Sequence, residues 1–471
     1  MGSTVIRLTG IVVALAACGD DAGNRKIMDA PAVIQDEGMI DGATNPVTVT
    51  VTNSGGPAAD IEVYFQNADS TLVATAHTDA NGVASQVMAA GGFVTVVNAY
   101  GVQPGLGGIT TNDLDTWAGV KPGDHLVFDT SYASTSATVT IQLPLDTANG
   151  AASYTVFTTC SNGGTATIPA PSGTGVSTVA QQIFLGGCGG TADVMVVAND
   201  IDNQAVSSFY VPAQPINDGD TIDYTAKTYA AVAQRAYELD NNPSTDNSIV
   251  LDDRFVTSRG QVYFASSNAA GATATTTLAL PALPTGALDV VHTDQQVNST
   301  GRNTVAWGPS AADYTVDYGA SLLGDFSVDP TFDTGTQTLG WTLGAGMAPV
   351  FSVSSISGQR AGASSWSWQI VGPSGTQVAL PTLPSDVADF TLMATDTIFI
   401  DGVGIGYAPG GYDAFRPIAF QGPPAPTGAT GIAAYNLWQP PATAPSLFEK
   451  MHVRPATPRR VITPHRVWAK R

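Results

Sequence analysis

The chain has 471 residues, which suggests about three domains at roughly 150 residues each. Only 12% of its residues are charged, against about 25% in an average soluble protein, so a helical bundle or coiled coil is excluded. Thirty-nine acidic and 18 basic side chains give a formal net charge of −21, whose field repels phosphate and argues against a nucleic-acid binder. The 43% hydrophobic content is enough to build cores and excludes a wholly disordered chain, and 50 Gly and 30 Pro point to many turns. The expected class is all-β.

Residues 1–18 read MGSTVIRLTGIVVALAAC, with one cation, Arg7, before an apolar run from Leu8 to Ala17. That run is shorter than the roughly 20 residues a spanning helix needs and fits the apolar region of a signal peptide. It ends in Leu15-Ala16-Ala17-Cys18, which resembles the lipobox of bacterial lipoproteins. The resemblance implies cleavage before Cys18, a diacylglyceryl group on its thiol and a membrane-anchored mature chain. Gly19 in place of an Asp implies sorting to the outer membrane of the cell envelope. The competing reading is an ordinary signal peptide that contains a Cys. Residues 19–45 read as a flexible tether.

Two further cysteines, Cys160 and Cys188, lie beside Gly-rich turns. In an oxidising compartment their simplest state is a disulfide, worth about 3–4 kcal/mol through chain entropy. A metal pair or catalytic thiol is the alternative, and neither has a His close in sequence.

Residues 46–143 form the first module. VTVTVTN at 47–53 alternates with period two, as a half-buried strand does. Turns follow at Asn53-Ser54-Gly55-Gly56-Pro57 and Asp79-Ala80-Asn81-Gly82, with Ile61, Val63 and Phe65 facing inward between them. The order of strands, "GP" turn and "TDANG" turn resembles bacterial Ig-like and carboxypeptidase-regulatory-like modules over 44–143. It implies a β-sandwich and carries no catalytic residues. Residues 144–228 hold five short strand-like runs, read as a sandwich around the disulfide. Residues 229–300 read as a β-module and 301–420 as another sandwich. The stretch 228–262 is the only place where a short helix could hide, for example in AAVAQRAYELD. Leu280-Pro281-Ala282-Leu283-Pro284 recurs as Leu380-Pro381-Thr382-Leu383-Pro384, each followed by an acid, Asp289 and Asp389. The 100-residue offset suits two related sandwiches or equivalent corners between strands. Residues 421–471 read as a Pro-rich linker and a basic disordered tail. Residues 450–471 carry 7 of the 18 cations, which leaves three readings: a tail against acidic groups or lipid phosphate, a binding arm, or an out-of-frame gene end.

Reactive motifs are sparse. Gly308-Pro309-Ser310-Ala311-Ala312 misses the nucleophile elbow at its last position, and His77, His125, His292, His452 and His465 are scattered. The acidic groups Asp200/Asp202, Asp218/Asp220/Asp223 and Asp246/Asp252/Asp253 suit either Ca²⁺ or local turns capped by carboxylates. Asp386, Asp389 and Asp396 lack an evident partner acid for glycoside hydrolysis. Alternation places Trp366 and Trp368 on one face, as a platform for sugar rings if exposed and as core if buried. The expectation is a non-enzymatic envelope lipoprotein acting in adhesion, as a scaffold or as an interaction module. It has no cofactor, no metal and no nucleic acid, and its partners are the membrane and a surface protein or glycan. A carbohydrate-binding protein using 300–420 is the second reading, and a hydrolase whose site assembles only in three dimensions is the third.

Overall fold

The computed structural model describes residues 45–53, 56–100, 111–129, 136–146, 148–161, 166–169, 177–184, 190–241, 249–269, 273–297, 299–309, 313–317, 323–359, 365–384, 392–393, 396–420 and 430–440. Cys18 with its lipobox, all but the last residue of the 19–45 tether, Cys188, Asp246, Asp386, Asp389 and residues 441–471 lie outside them.

The described chain is all-β and folds as four tandem sandwiches. Unit I contains β1 (Val47–Asn53), β2 (Gly56–Pro57), β3 (Glu62–Gln66), β4 (Leu72–His77), β5 (Val83–Gln86), β6 (Gly92–Tyr100), β7 (Thr111–Val120) and β8 (His125–Asp129). Unit II contains β9 (Ser136–Leu143), β10 (Ser153–Thr158), β11 (Ala166–Pro169), β12 (Ser177–Phe184), β13 (Thr191–Asn199), β14 (Ala205–Pro215), β15 (Thr221–Asp223) and β16 (Ala230–Ala231). Unit III contains β17 (Ala233–Asp240), β18 (Ile249–Thr257), β19 (Gly260–Ala269), β20 (Ala274–Leu280), β21 (Leu288–Val297), β22 (Thr300–Gly308) and β23 (Tyr314–Asp317). Unit IV contains β24 (Phe326–Asp333), β25 (Thr338–Leu343), β26 (Phe351–Gln359), β27 (Ser365–Pro373), β28 (Gln377–Ala379), β29 (Thr397–Tyr407), the short helix α1 (Gly411–Phe415) and β30 (Gly431–Trp438).

One strand plan recurs. A small sheet, β5-β1-β8 in unit I, β12-β9-β15 in unit II and β20-β17-β23 in unit III, faces a larger one. The larger sheets begin β4-β3-β6-β7, β11-β10-β13-β14 and β19-β18-β21-β22. In each of these units the first strand of the sandwich pairs in parallel with the last strand of the small sheet: β1 with β8, β9 with β15, β17 with β23. Unit IV keeps the plan with one exchange. Its small sheet is β28-β25-β24, so an antiparallel strand from upstream takes the last strand's place.

Alternation accounts for these elements. Val47, Val49 and Val51 are buried while the threonines between them are half-exposed. Gly82 ends the turn before β5 at φ +73°, and a Cβ there would meet the Val51 carbonyl. The segment AAVAQRAYELD, read as the one place for a short helix, is instead strand β17, and the α-helix among the described residues is α1 at Gly411–Phe415. Arg235, Tyr237 and Leu239 point inward with period two, and pairing with β20 outweighs the helix preference of its alanines.

The large sheets of units I, III and IV join edge to edge. The result is one twelve-stranded sheet, β19-β18-β21-β22-β30-β29-β26-β27-β7-β6-β3-β4. Units III and IV meet through antiparallel β22 and β30, from Thr300 opposite Trp438 to Trp307 opposite Gly431. Units IV and I meet through parallel β27 and β7, from Ser365 opposite Thr111 to Val371 opposite Trp117. At the second join the sandwiches change sides. Leu114 and Tyr64, on the outward face of unit I, share a core with Trp366, Trp368, Leu339 and Trp341 from the interior of unit IV. Trp117 and Val63, from the interior of unit I, share one with Val353 and with Phe415 beside α1.

These pairings shift several expected boundaries. β9 lies in the segment read as the first module but pairs only with β12 and β15 of unit II. β22 and β23 complete unit III, although 301 was expected to open the next sandwich. β30 falls inside the segment read as linker and tail, yet it is buried in the middle of the twelve-stranded sheet. Register is set by long-range partners, and a 22-residue surplus of charge or a run of prolines nearby says nothing about them.

Candidate functional site

The densest group of ionisable side chains lies inside unit III. Arg235 enters from β17 in the small sheet, and Asp253 and Asp289 enter from β18 and β21 in the facing one. Phe255 pairs with Asp289, so Asp253 and Asp289 are diagonal neighbours on one face. Arg235 Nη1 donates to Asp253 Oδ2 at 2.6 Å and to Asp289 Oδ1 at 2.8 Å. Tyr237 Oη donates to the same Asp253 Oδ2. The guanidinium also lies 4.9 Å from the centre of the Tyr237 ring and 5.9 Å from that of Tyr314. The three charged side chains are 6%, 0% and 4% exposed.

The charges decide how this group titrates. Two carboxylates beside one guanidinium would leave a net negative charge in an apolar core, which is costly. Burial and then the Asp253 charge push the Asp289 carboxyl up to about 8, and burial raises Asp253 as well. Both carboxyls meet at the one guanidinium nitrogen, Arg235 Nη1, which pairs with each of them. Burial opposes the charge on Arg235, but Asp253 and Asp289 more than offset it. One cation, one carboxylate and one neutral carboxyl make the cluster electrically neutral.

A stability prediction follows, with its sign fixed. The folded-state value for Asp289 lies above the unfolded value of about 3.9. The favourable contribution is therefore complete below that value and is lost as pH rises through about 8. Protection factors of β18 and β21 in the full chain, taken relative to the intrinsic exchange rate at each pH, should fall across that window, and Asp289→Asn should flatten the dependence. Protection equal at both ends of the window in the wild type would contradict a raised Asp289 carboxyl.

On the opposite face of the same strands, His292 Nδ1 lies 3.3 Å from Asp252 Oδ2, and His292 Nε2 lies 2.9 Å from Asn303 Oδ1. Arg254 Nη2 donates to Asp252 at 3.0 Å. Burial alone would raise Asp252, but His292 and Arg254 hold it below the ordinary carboxylate range.

A polar cleft of about 460 Å³ lies between units II and III, lined by Asp193, Tyr210, Thr257, Ser258, Arg259 and Thr285 among others. A register shift in β13 around Asp193 turns its carboxylate toward unit III. There it accepts hydrogen bonds from Thr257 Oγ1 at 2.6 Å, Arg259 Nη1 at 3.1 Å and the Ala213 amide at 2.8 Å. Burial and the Asp193 charge push the Tyr210 hydroxyl up to about 12. Asp193 thus fastens unit II to the β18–β19 hairpin. Asp193→Ala should cost about 1–3 kcal/mol through unmade hydrogen bonds, read as faster amide exchange in that hairpin.

The other sequence candidates resolve as follows. Trp366 and Trp368 do share a face, with ring centroids 6.5 Å apart, but each is 2% exposed. Trp368 Nε1 donates to Thr116 Oγ1 across the join between units IV and I. They are core, because Leu339 and Trp341 of the facing small sheet pack against the face on which a sugar would have to stack. Asp200 Oδ1 accepts the amides of Asp202 and Gln204, and Asp218 and Asp220 accept those of Thr138 and Asn217. Asp200 and Asp220 cap their own turns, and Asp218 ties its turn to β9. Asp252 and Asp253 point to opposite faces of β18, and no group of three or more possible metal ligands occurs among the described residues. Cys160 is buried and disulfide-bonded, while Cys188 lies outside the described residues. The acid pair Asp253–Asp289 is sealed from solvent, so no substrate reaches it. Thr50 Oγ1 lies 2.8 Å from His125 Nε2 as an exposed cross-strand contact.

The LPxLP repeats occupy equivalent corners. Leu280 and Leu380 follow the edge strands of the two small sheets. Leu380 and Leu383 share a core with Tyr64 and Leu114 of unit I, and Thr382 O accepts Gln66 Nε2 at 2.6 Å. Leu280 and Leu283 share one with Phe157, Met195 and Val197 of unit II. Each corner therefore caps the outward face of another unit. Asp289 was visible as the acid after the first repeat, whereas Arg235 went unnoticed. Its only signal was a cation at an inward position of an alternating strand.

No family model matches the chain, and no curated protein matches it. Among solved structures, the Bacillus anthracis TIE protein aligns at 11% identity with a TM-score of 0.15, over 59% of this chain and 50% of that one. A likeness of that size supports no argument about this protein.

Proposed function

We propose that this chain is a non-enzymatic, lipid-anchored envelope protein that works as a rigid scaffold for adhesion or interaction. The observation that carries the reading is the shared twelve-stranded sheet, which fixes units I, III and IV to one another instead of leaving them as beads on linkers. Strand joins and buried ion pairs resist reorientation, as a spacer or platform requires. The lipobox supplies the anchor, with Cys18 as the acylated residue, and a Cys160–Cys188 disulfide would brace unit II. The largest clusters of ionisable groups are closed from solvent and hold sheets together, which suits architecture better than turnover.

Cells producing the wild-type chain should retain it in the membrane fraction, with acyl mass on Cys18, and should adhere to their target surface. Cys18→Ala should release the protein and abolish adhesion. Equal adhesion with both forms, or turnover of ester, peptide or glycoside substrates by the purified chain, would overturn the reading.

A further inference from the structure

We propose that strand β4 is an interaction edge whose partner is β4 of a second copy of this chain. The inference adds an assembly mode to the scaffold read above but does not need its lipid anchor.

The twelve-stranded sheet has two ends, β19 and β4. The β19 end is covered, since Val262 and Tyr263 pack with Phe157, Met195 and Val197 of unit II. At the other end, β4 pairs with β3 alone among the described residues. Natural sheets blunt such edges with charge, proline or bulges. The exposed strand β24 has all three: Asp329, Pro330 and two register shifts. The sequence of β4, LVATAH, has no acid, no lysine, no arginine and no proline, and its one register shift lies at Val73, before the regular stretch Ala74–His77. Leu72, on this strand, is 47% exposed, and Val87, just beyond the adjoining edge strand β5, is 41% exposed. Unit I thus leaves an apolar flank open where a sheet could continue.

A second copy suits this edge because the chain already extends the sheet by joining strand edges. One of those joins is like to like: β22 and β30 hold the same position in their sandwiches and pair antiparallel. β4 lies at the opposite edge of its sandwich, and an antiparallel β4–β4 pair makes a second like-to-like join there, between molecules, as a self-complementary two-fold contact. The Thr78 amide donates to Ile61 O, and counting back by twos points Ala76 and Ala74 toward β3 and Thr75 away from it. Thr75, exposed, then lies on the two-fold axis within the regular stretch Ala74–His77. No like charges oppose each other across the pair. The net charge of −21 on each copy repels at long range, so association should strengthen with salt. On a membrane, anchoring both copies raises their effective concentration, and a modest edge affinity suffices.

The test is sedimentation equilibrium of the full chain carrying Cys18→Ser, so that acylation plays no part, over a dilution series at low and high salt. Reversible dimerisation that tightens with salt is expected. Thr75→Pro removes the outward amide donor and Thr75→Lys places a charge on the axis. Each should raise the dissociation constant by at least about tenfold, with an unchanged melting curve. Thr75→Lys retains the amide and so decides the matter if the proline disturbs folding. A wild type that stays monomeric throughout, or a Thr75→Lys chain that dimerises as tightly as wild type, overturns the proposal. Either result leaves the scaffold reading standing, and loss of the acyl anchor would leave the edge pairing standing.

Discussion

Arg235→Met is expected to destabilise unit III by about 3–5 kcal/mol at neutral pH, because it strands two buried carboxyl groups without their cation. Asp253 and Asp289 lose the guanidinium that both of them contact at 2.6–2.8 Å, and Asp253 keeps only the neutral Tyr237 hydroxyl in its place. The loss should shrink toward acid pH, where both carboxyls accept protons. Amide exchange along β17, β18 and β21 in the full chain reads this out locally, which matters because four joined units do not unfold in one step. The informative companion is the triple replacement Arg235→Met, Asp253→Leu and Asp289→Leu. Buried ion pairs replaced by apolar side chains of similar volume are often neutral to stabilising by about 1–4 kcal/mol. If the triple variant is as unstable as the single one, the cluster contributes more than the cost of an orphaned charge.

Cutting the chain between units I and II should leave the two pieces together, and Arg416→Ala should let them separate. Unit I touches unit IV through β7 and β27, and the turn after α1 fastens that join. Arg416 Nη2 donates to Asp124 at 2.7 Å, and its Nη1 donates to Gly119 O at 3.1 Å and to Asp413 at 2.9 Å. Tyr412 Oη donates to Ala118 O at 2.6 Å and lies 3.1 Å from Val371 O, reaching both sides of the join. Trp117 Nε1 donates to Arg416 O at 3.0 Å. The Arg416 side chain is 2% exposed, so its removal leaves Asp124 without a buried partner at a cost of about 3 kcal/mol or more. A protease site engineered into 130–135, followed by gel filtration, checks this. Pieces that separate in the wild type would show that β7 and β27 do not hold the units.

Both experiments bear on residues that differ in how visible they were beforehand. The strands of unit I were legible because Val/Thr alternation and the Asn81-Gly82 turn are local signals, written within a few residues. The equivalence of Leu280-Pro281 and Leu380-Pro381 corners was legible for the same reason. Asp253 and Asp289 could be singled out as acids, but a carboxylate in a turn and one beneath a sheet look alike in sequence. Arg235 sat in a segment whose alanines suggested helix, and only pairing with β20 turns it inward.

By itself the sequence determined an all-β, acidic chain, because composition, strand period and turn chemistry are properties of short windows. Tertiary structure alone decided which edges meet. It placed Trp366 and Trp368 in a core, drew β30 out of an apparent tail, set units I and IV side by side across two intervening sandwiches, and left β4 open. Edge-to-edge pairing runs through backbone hydrogen bonds, which every residue but proline can make. No side-chain pattern marks the partner, and the choice is settled only when whole faces are buried together.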